Sequence, residues 1–130
     1  MRIISSLSAV ALAVILGFLP STSAHGEDKF ITAADAKNHV GEVQTVRGKV
    51  VSAKFLADSK GAPTILNLDE RYPDEVMSIV IWDSDRPKFK EPPENFYKGK
   101  TIYVTGKIIL YQEKPEIVVK DPSQIVVKEK

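Results

Sequence analysis

There is no cysteine among the 130 residues. That excludes disulfides, thiolate zinc sites, a thiol nucleophile and a lipidated amino-terminal cysteine. Histidine occurs only at positions 25 and 39, and neither has a serine or aspartate set out beside it as a catalytic partner. HExxH, a phosphate-binding glycine loop, CxxC and the nucleophile elbow are all missing. The expectation is therefore a protein that is not an enzyme and needs no cofactor. An excess of one charge is lacking too, with 18 Lys+Arg against 17 Asp+Glu. General nucleic-acid binders carry a basic excess, because phosphate contacts dominate their affinity. Any cationic surface here must be a local patch.

Long apolar runs are also few. The main one, residues 7–19, is short for a bilayer span and stops at Pro20. A basic start (Arg2), that run and the small residues STSA follow in the order of a secretory signal. Residues 1–24 are expected to be cleaved after Ala24, leaving 25–130 as a single domain, periplasmic or secreted, with no membrane insertion. Arg2 is the one charge removed, so the mature chain would hold 17 basic and 17 acidic residues.

What is present is mostly strand chemistry. ITAADAKNHVG, starting at Ile31, is the exception. Thr32 suits an N-cap, the alanines favour helix and Gly41 ends it, predicting a short helix over 33–39. EVQTVRGKVVSAKF, from Glu42, is β-branched. Its apolar parity switches from Val46, Gly48 and Val50 to Val51, Ala53 and Phe55, which predicts a bulged, bent strand. ADSKGAP is a loop, TILNLD a short strand, ERYPDE a connection, and VMSIVIW a strand apolar on both parities. DSDRPKFKEPPENFYKGK is broken by prolines; it predicts a loop with one helical turn near 95–98, plugged by Phe89, Phe96 and Tyr97. VTGKIILYQEKPEIVV then reads as a hairpin turning at QEKP, with QIVV beyond Pro122. VRGKVV and VTGKII share a V-x-G-K pattern, as expected of two strands that coil at matched glycines.

Five strands, a bent first strand, a non-strand link between the third and fourth, and a closing hairpin predict an all-β fold. The specific expectation is a five-stranded Greek-key OB-fold barrel with a short N-terminal helix. The segments GEVQTVRGKVVSAKF, VMSIVIWDSDRPKF and YKGKTIYVTGKIILYQEKPEIVVKDPSQIVV carry a resemblance. They resemble small exported bacterial OB-fold domains related to the nucleic-acid-binding, anticodon-binding-like OB group, over about residues 31–127. The resemblance implies an exported, non-catalytic binding module for single-stranded nucleic acid or another extended ligand. A periplasmic protein-interaction or structural domain of the cell envelope, with an envelope protein as partner, is the alternative.

OB barrels bind across strands two and three, between the loops after the first and fourth strands. Here those loops are about 56–63 and 111–115. Stacking rings and phosphate-seeking cations are sought there. The candidates are Lys54, Lys60, Arg71, Tyr72, Trp82, Tyr111 and Lys114. Phe55 is a further aromatic candidate; like Trp82 it lies in an apolar strand, where such rings are more often core. Asp58, Asp69, Glu70, Asp74 and Glu75 crowd the same region and oppose a tight phosphate grip. Two metal readings carry less: His25, once amino-terminal, as a copper chelate with His39, and Asp83 with Asp85 as a cation loop. Two carboxylates fall short of a calcium ligand set, and turn-forming and capping roles explain them better.

Overall fold

In the computed structural model of this chain, which describes residues 29–129, strands dominate and the helical segments are short turns. The expected leader and the cleavage site lie outside the described residues. The strands are β1 (Ile31–Thr32), β2 (Val43–Phe55), β3 (Thr64–Leu68), β4 (Met77–Ile81), β5 (Thr101–Tyr111), β6 (Lys114–Val118) and β7 (Ile125–Val127). The five long segments match the five predicted strands. β1 and β7 are short additions at the margins of β2 and β5.

β2 organises the sheet because it is long and changes partner midway. Val43 to Lys49 pair antiparallel with β5, and Val50 to Phe55 pair antiparallel with β3. A register shift between Val50 and Ser52 leaves Val51 as the extra residue. The predicted parity switch therefore occurs as a bulge, three residues beyond Gly48. β3 pairs antiparallel with β4, β4 parallel with β6, and β6 antiparallel with the second half of β5. The succession of pairings thus runs from β2 through β3, β4, β6 and β5 back to β2.

The inward parity of each strand forms one core. Val46 and Val50 of β2, Leu66 and Leu68 of β3, Met77, Ile79 and Ile81 of β4, and Ile102, Val104 and Ile108 of β5 are all fully buried. β6 adds Ile117. Gly48 and Gly106 sit on the same parity, with φ in the ordinary negative range. Their role is close approach. A Cβ on Gly48 would meet Leu68 Cδ1 at 2.9 Å, and one on Gly106 would meet Ile117 Cγ2 at 2.6 Å. The paired V-x-G-K segments thus let core side chains from neighbouring strands lie over the backbone.

The helix predicted over 33–39 is a single 3₁₀ stretch, Ala33–Asn38, capped by Thr32, whose hydroxyl accepts from Asp35 N at 3.2 Å. Ala33 and Ala36 seal one end of the core. The proline-broken segment supplies a second cover. It forms a 3₁₀ turn at Arg86–Lys88 and one α-helical turn, α1 (Pro93–Phe96), two residues earlier than expected. Tyr97 packs edge-on to Phe96 and Phe89, with centroids at 4.9 and 6.3 Å, as the predicted plug.

Arg86 fastens this cover to the sheet. Its guanidinium donates to both Glu94 carboxylate oxygens at 2.8 and 3.0 Å and to Thr64 Oγ1 at 2.7 Å. It also lies over the Phe55 ring, 3.6 Å from the centroid. Phe55 is thereby taken up by the fold and is not free to stack on a ligand.

Candidate functional site

The outward parity of β2, β3, β4 and β6 is unusually polar in its middle. Ser52, Asn67, Ser78 and Glu116 each face the same side, and each is the registered partner of the next across the sheet. Asn67 Nδ2 donates to Ser52 Oγ at 3.0 Å, and Ser78 Oγ donates to Asn67 Oδ1 at 3.1 Å. The row fixes the amide and both hydroxyls in one orientation. Single strands give no hint of it, since serine or asparagine on a solvent-facing parity is ordinary; only the register aligns them.

This row floors a groove of about 820 Å³. Its ends and rim come from loops. The β3–β4 connection contributes Arg71, Tyr72, Pro73 and Glu75, and the β5–β6 hairpin contributes Tyr111, Gln112 and Lys114. Lys54 and Leu56 border it from β2 and the segment that follows, and Lys98 stands beyond α1. The two tyrosines are largely free, with Tyr72 76% and Tyr111 59% exposed. Exposure on that scale is unusual for a large ring and leaves ring surface available for stacking.

The hairpin tip holds Tyr111 in place by backbone geometry. Gln112 and Glu113 have φ of 51° and 69°. A two-residue hairpin turn with both central residues left-handed matches the twist of its strands, though glycine and asparagine adopt it more readily. Tyr111 and Lys114 are the registered pair closing that turn.

Five of the seven predicted site residues line the groove: Lys54, Arg71, Tyr72, Tyr111 and Lys114. Lys60 and Trp82 do not. Trp82 packs on the loop after β2, where a Cβ on Gly61 would meet its ring at 2.8 Å, and Asp83 N donates to Gly61 O at 3.1 Å. Gly61 has φ of 78°, so this turn is built for glycine, and the six-membered ring of the indole packs close against it. The three rings Tyr72, Trp82 and Tyr111 therefore do not share one face.

The charges divide in a way the sequence did not reveal. Lys54, Arg71 and Lys98 on the rim make no ion pair among the described residues. Lys114 is engaged: its ammonium donates to Pro73 O and lies 3.4 Å from Glu75 Oε2. Glu75 Oε1 is buried without a partner among the described residues. Of the acidic residues expected to repel phosphate, only Glu75 reaches the groove. Glu116, not singled out by sequence, lies on the floor at 8% exposure, and burial pushes its carboxyl above the ordinary value. Asp85 is paired with Lys88 at 2.9 Å, and His39 Nδ1 with Glu42 at 2.8 Å. Among the described residues, no three histidine or acidic side chains gather as a metal-ligand set. His25 is outside them.

No protein-family model and no curated protein sequence matches this chain. Solved structures share its shape. An aspartyl tRNA synthetase from Entamoeba histolytica aligns with TM-score 0.50 and 15% identity, over 76% of this chain and 21% of that one. A chain described as an aspartyl-tRNA synthetase from Leishmania major Friedlin aligns with TM-score 0.48 and 12% identity, over 82% and 22%. An OBody bound to hen egg-white lysozyme aligns with TM-score 0.43 and 17% identity, over 86% and 99%. The chain spans about a fifth of the two synthetase chains. The likeness to the Entamoeba chain is one of fold, an OB-like all-β architecture.

Proposed function

We propose that this chain is an exported, non-catalytic OB-fold module that binds single-stranded nucleic acid across the outer face of β2, β3, β4 and β6. On this reading the five long strands are a Greek-key barrel, supported by the succession of pairings that leaves β2 and returns to it. Export rests on the order of basic start, apolar run and small residues at the head of the chain. The observation that carries the function is the groove itself. It has two exposed tyrosines at one end, unpaired cations on its rim and a hydrogen-bonded polar floor. Bases stack on rings and phosphates follow cations, so a strand can thread it with bases inward. The aspartyl tRNA synthetase from Entamoeba histolytica, whose fold this chain resembles, is named for a nucleic-acid substrate.

Fluorescence anisotropy of labelled single-stranded DNA and RNA at low salt tests this. Trp82 is a poor reporter, because it lies away from the groove. Neutralising about three phosphates with Lys54, Arg71 and Lys98 should give a log–log salt slope of about −2, at roughly −0.7 per phosphate on a single strand. No binding at high micromolar protein would remove the proposal.

The second reading, an envelope protein-interaction domain, has its own support. Val43 is 68% exposed on β2, opposite Lys107, and Ile109 (38% exposed) follows on the same outward parity of β5. An apolar seam of this kind fits a protein surface. The strand VMSIVIW adds little to that seam: Val80 is 3% exposed, and Trp82, though 39% exposed, packs on Gly61 at the strand's end. Pull-down from envelope extracts alongside the titration separates the two readings.

A further inference from the structure

The groove's rim is cationic, but its floor is made to accept hydrogen bonds. Glu116 is more than nine-tenths buried, faces the groove, and makes no hydrogen bond or ion pair among the described residues. Its registered neighbour Ser78 has already committed its hydroxyl proton to Asn67, so Ser78 Oγ presents lone pairs beside the carboxylate. The Glu116 oxygens are not among the fully buried ones, so the carboxylate opens onto the groove; a ligand that covers it takes away its water, and a donor arriving with that ligand would replace the lost hydrogen bonds. A phosphate cannot supply such a donor. A nucleobase can.

We propose that the floor recognises guanine in a single strand, the Glu116 carboxylate accepting both the ring N1–H and the exocyclic amine. The inference rests on the nucleic-acid reading given above and makes it specific. Guanine alone among the common bases sets two donors side by side on its Watson–Crick edge, the geometry a carboxylate accepts in bidentate fashion. Uracil and thymine flank their one N–H with carbonyls, which the carboxylate repels. Cytosine and adenine place a ring acceptor beside their amine, where Glu116 offers only lone pairs. Splayed bases of single strands are read on these edges while their faces stack on rings. Tyr72 and Tyr111, on the loops that border the groove, supply those rings. Phosphates meanwhile stay at the rim with Lys54, Arg71 and Lys98.

The test needs the wild-type chain and short single strands that differ at one kind of position. One carries interior guanines in a pyrimidine background, a second carries inosine in their place, and a third carries thymine. Inosine keeps N1–H and lacks the amine. Wild type should bind the guanine strand about tenfold more tightly than either other strand, the scale of one bidentate base contact. Glu116→Gln should erase that preference from both sides, weakening the guanine strand and relieving the repulsion of the thymine carbonyls, to which the new amide can donate. Equal binding of guanine and inosine strands by wild type would overturn the inference while leaving the nucleic-acid reading intact. Failure of all three strands to bind would overturn both. The inosine comparison uses no variant, so a folding defect cannot obscure it.

Discussion

Arg86→Met should destabilise the domain by about 3–4 kcal/mol, a substantial part of its margin, since a domain of this size is worth roughly 5–15 kcal/mol. The figure is assembled from what the guanidinium touches. Arg86 and Glu94 are each about four-fifths buried and joined by two charge-assisted hydrogen bonds. Removing one partner of such a pair costs about 3 kcal/mol at the low end, because the other charge stays desolvated. Thr64, fully buried, would lose its donor, and Phe55 would lose its cation, each worth about 1 kcal/mol before allowance for overlap. Urea unfolding followed by circular dichroism would measure the loss, and the melting temperature should fall by about 15 °C. The double variant Arg86→Met with Glu94→Leu should recover much of the stability, because no orphaned charge remains. Acid should have a related effect. The Arg86 hydrogen bonds hold the Glu94 carboxyl below its ordinary value, so this stabilisation is complete above the unfolded value. It is lost as pH falls through the folded one. A loss under about 1 kcal/mol, the worth of a surface ion pair, would refute the view that Arg86 pins the end cover.

Other outcomes follow from single contacts. Gly106→Ala should cost about 2–3 kcal/mol by overpacking, and more than Gly48→Ala, in chemical unfolding. Its Cβ meets the stiff Ile117 and also Gln124, which is fixed by bonds to Thr105 O and Lys120 N, whereas Gly48 faces the movable end of Leu68. Glu113→Gly at the hairpin tip should raise stability by about 1 kcal/mol, since glycine takes a positive φ without steric cost. Glu116→Gln should stabilise the free protein at neutral pH by roughly 1 kcal/mol. Burial raises the folded value of Glu116, so wild type loses stability as pH rises through that value; the variant does not, and the two should converge in acid.

Much of the fold was legible because β-strand periodicity is local. The parity switch between Val50 and Val51 announced the bulge, and the proline-rich segment announced the end cover. The two short strands were not, since Ile31–Thr32 and Ile125–Val127 become strands only by lying against β2 and β5. The site was legible where residue type alone is unusual, as with tyrosines and cations near turns. It was illegible where meaning depends on register. Glu116 looks like one more solvated glutamate in EIVV, and only its place beside Ser78 and Asn67 makes it a floor residue. Trp82 failed as a candidate for the converse reason. Its ring is sought by Gly61, some twenty residues earlier, and no local pattern encodes that contact.

Chemical-shift mapping tests the central claim most directly. A guanine-containing single strand titrated into isotope-labelled protein should move the backbone amides of Lys54, Asn67, Tyr72, Ser78, Tyr111 and Glu116 together. Trp82 and Val43, at the far end of the β2–β5 seam, should stay still, whereas Ile109 is the registered partner of Glu116 and moves with it. Shifts concentrated at that seam, or spread over surface lysines with the groove unmoved, would contradict a nucleic-acid site on the outer face of β2, β3, β4 and β6.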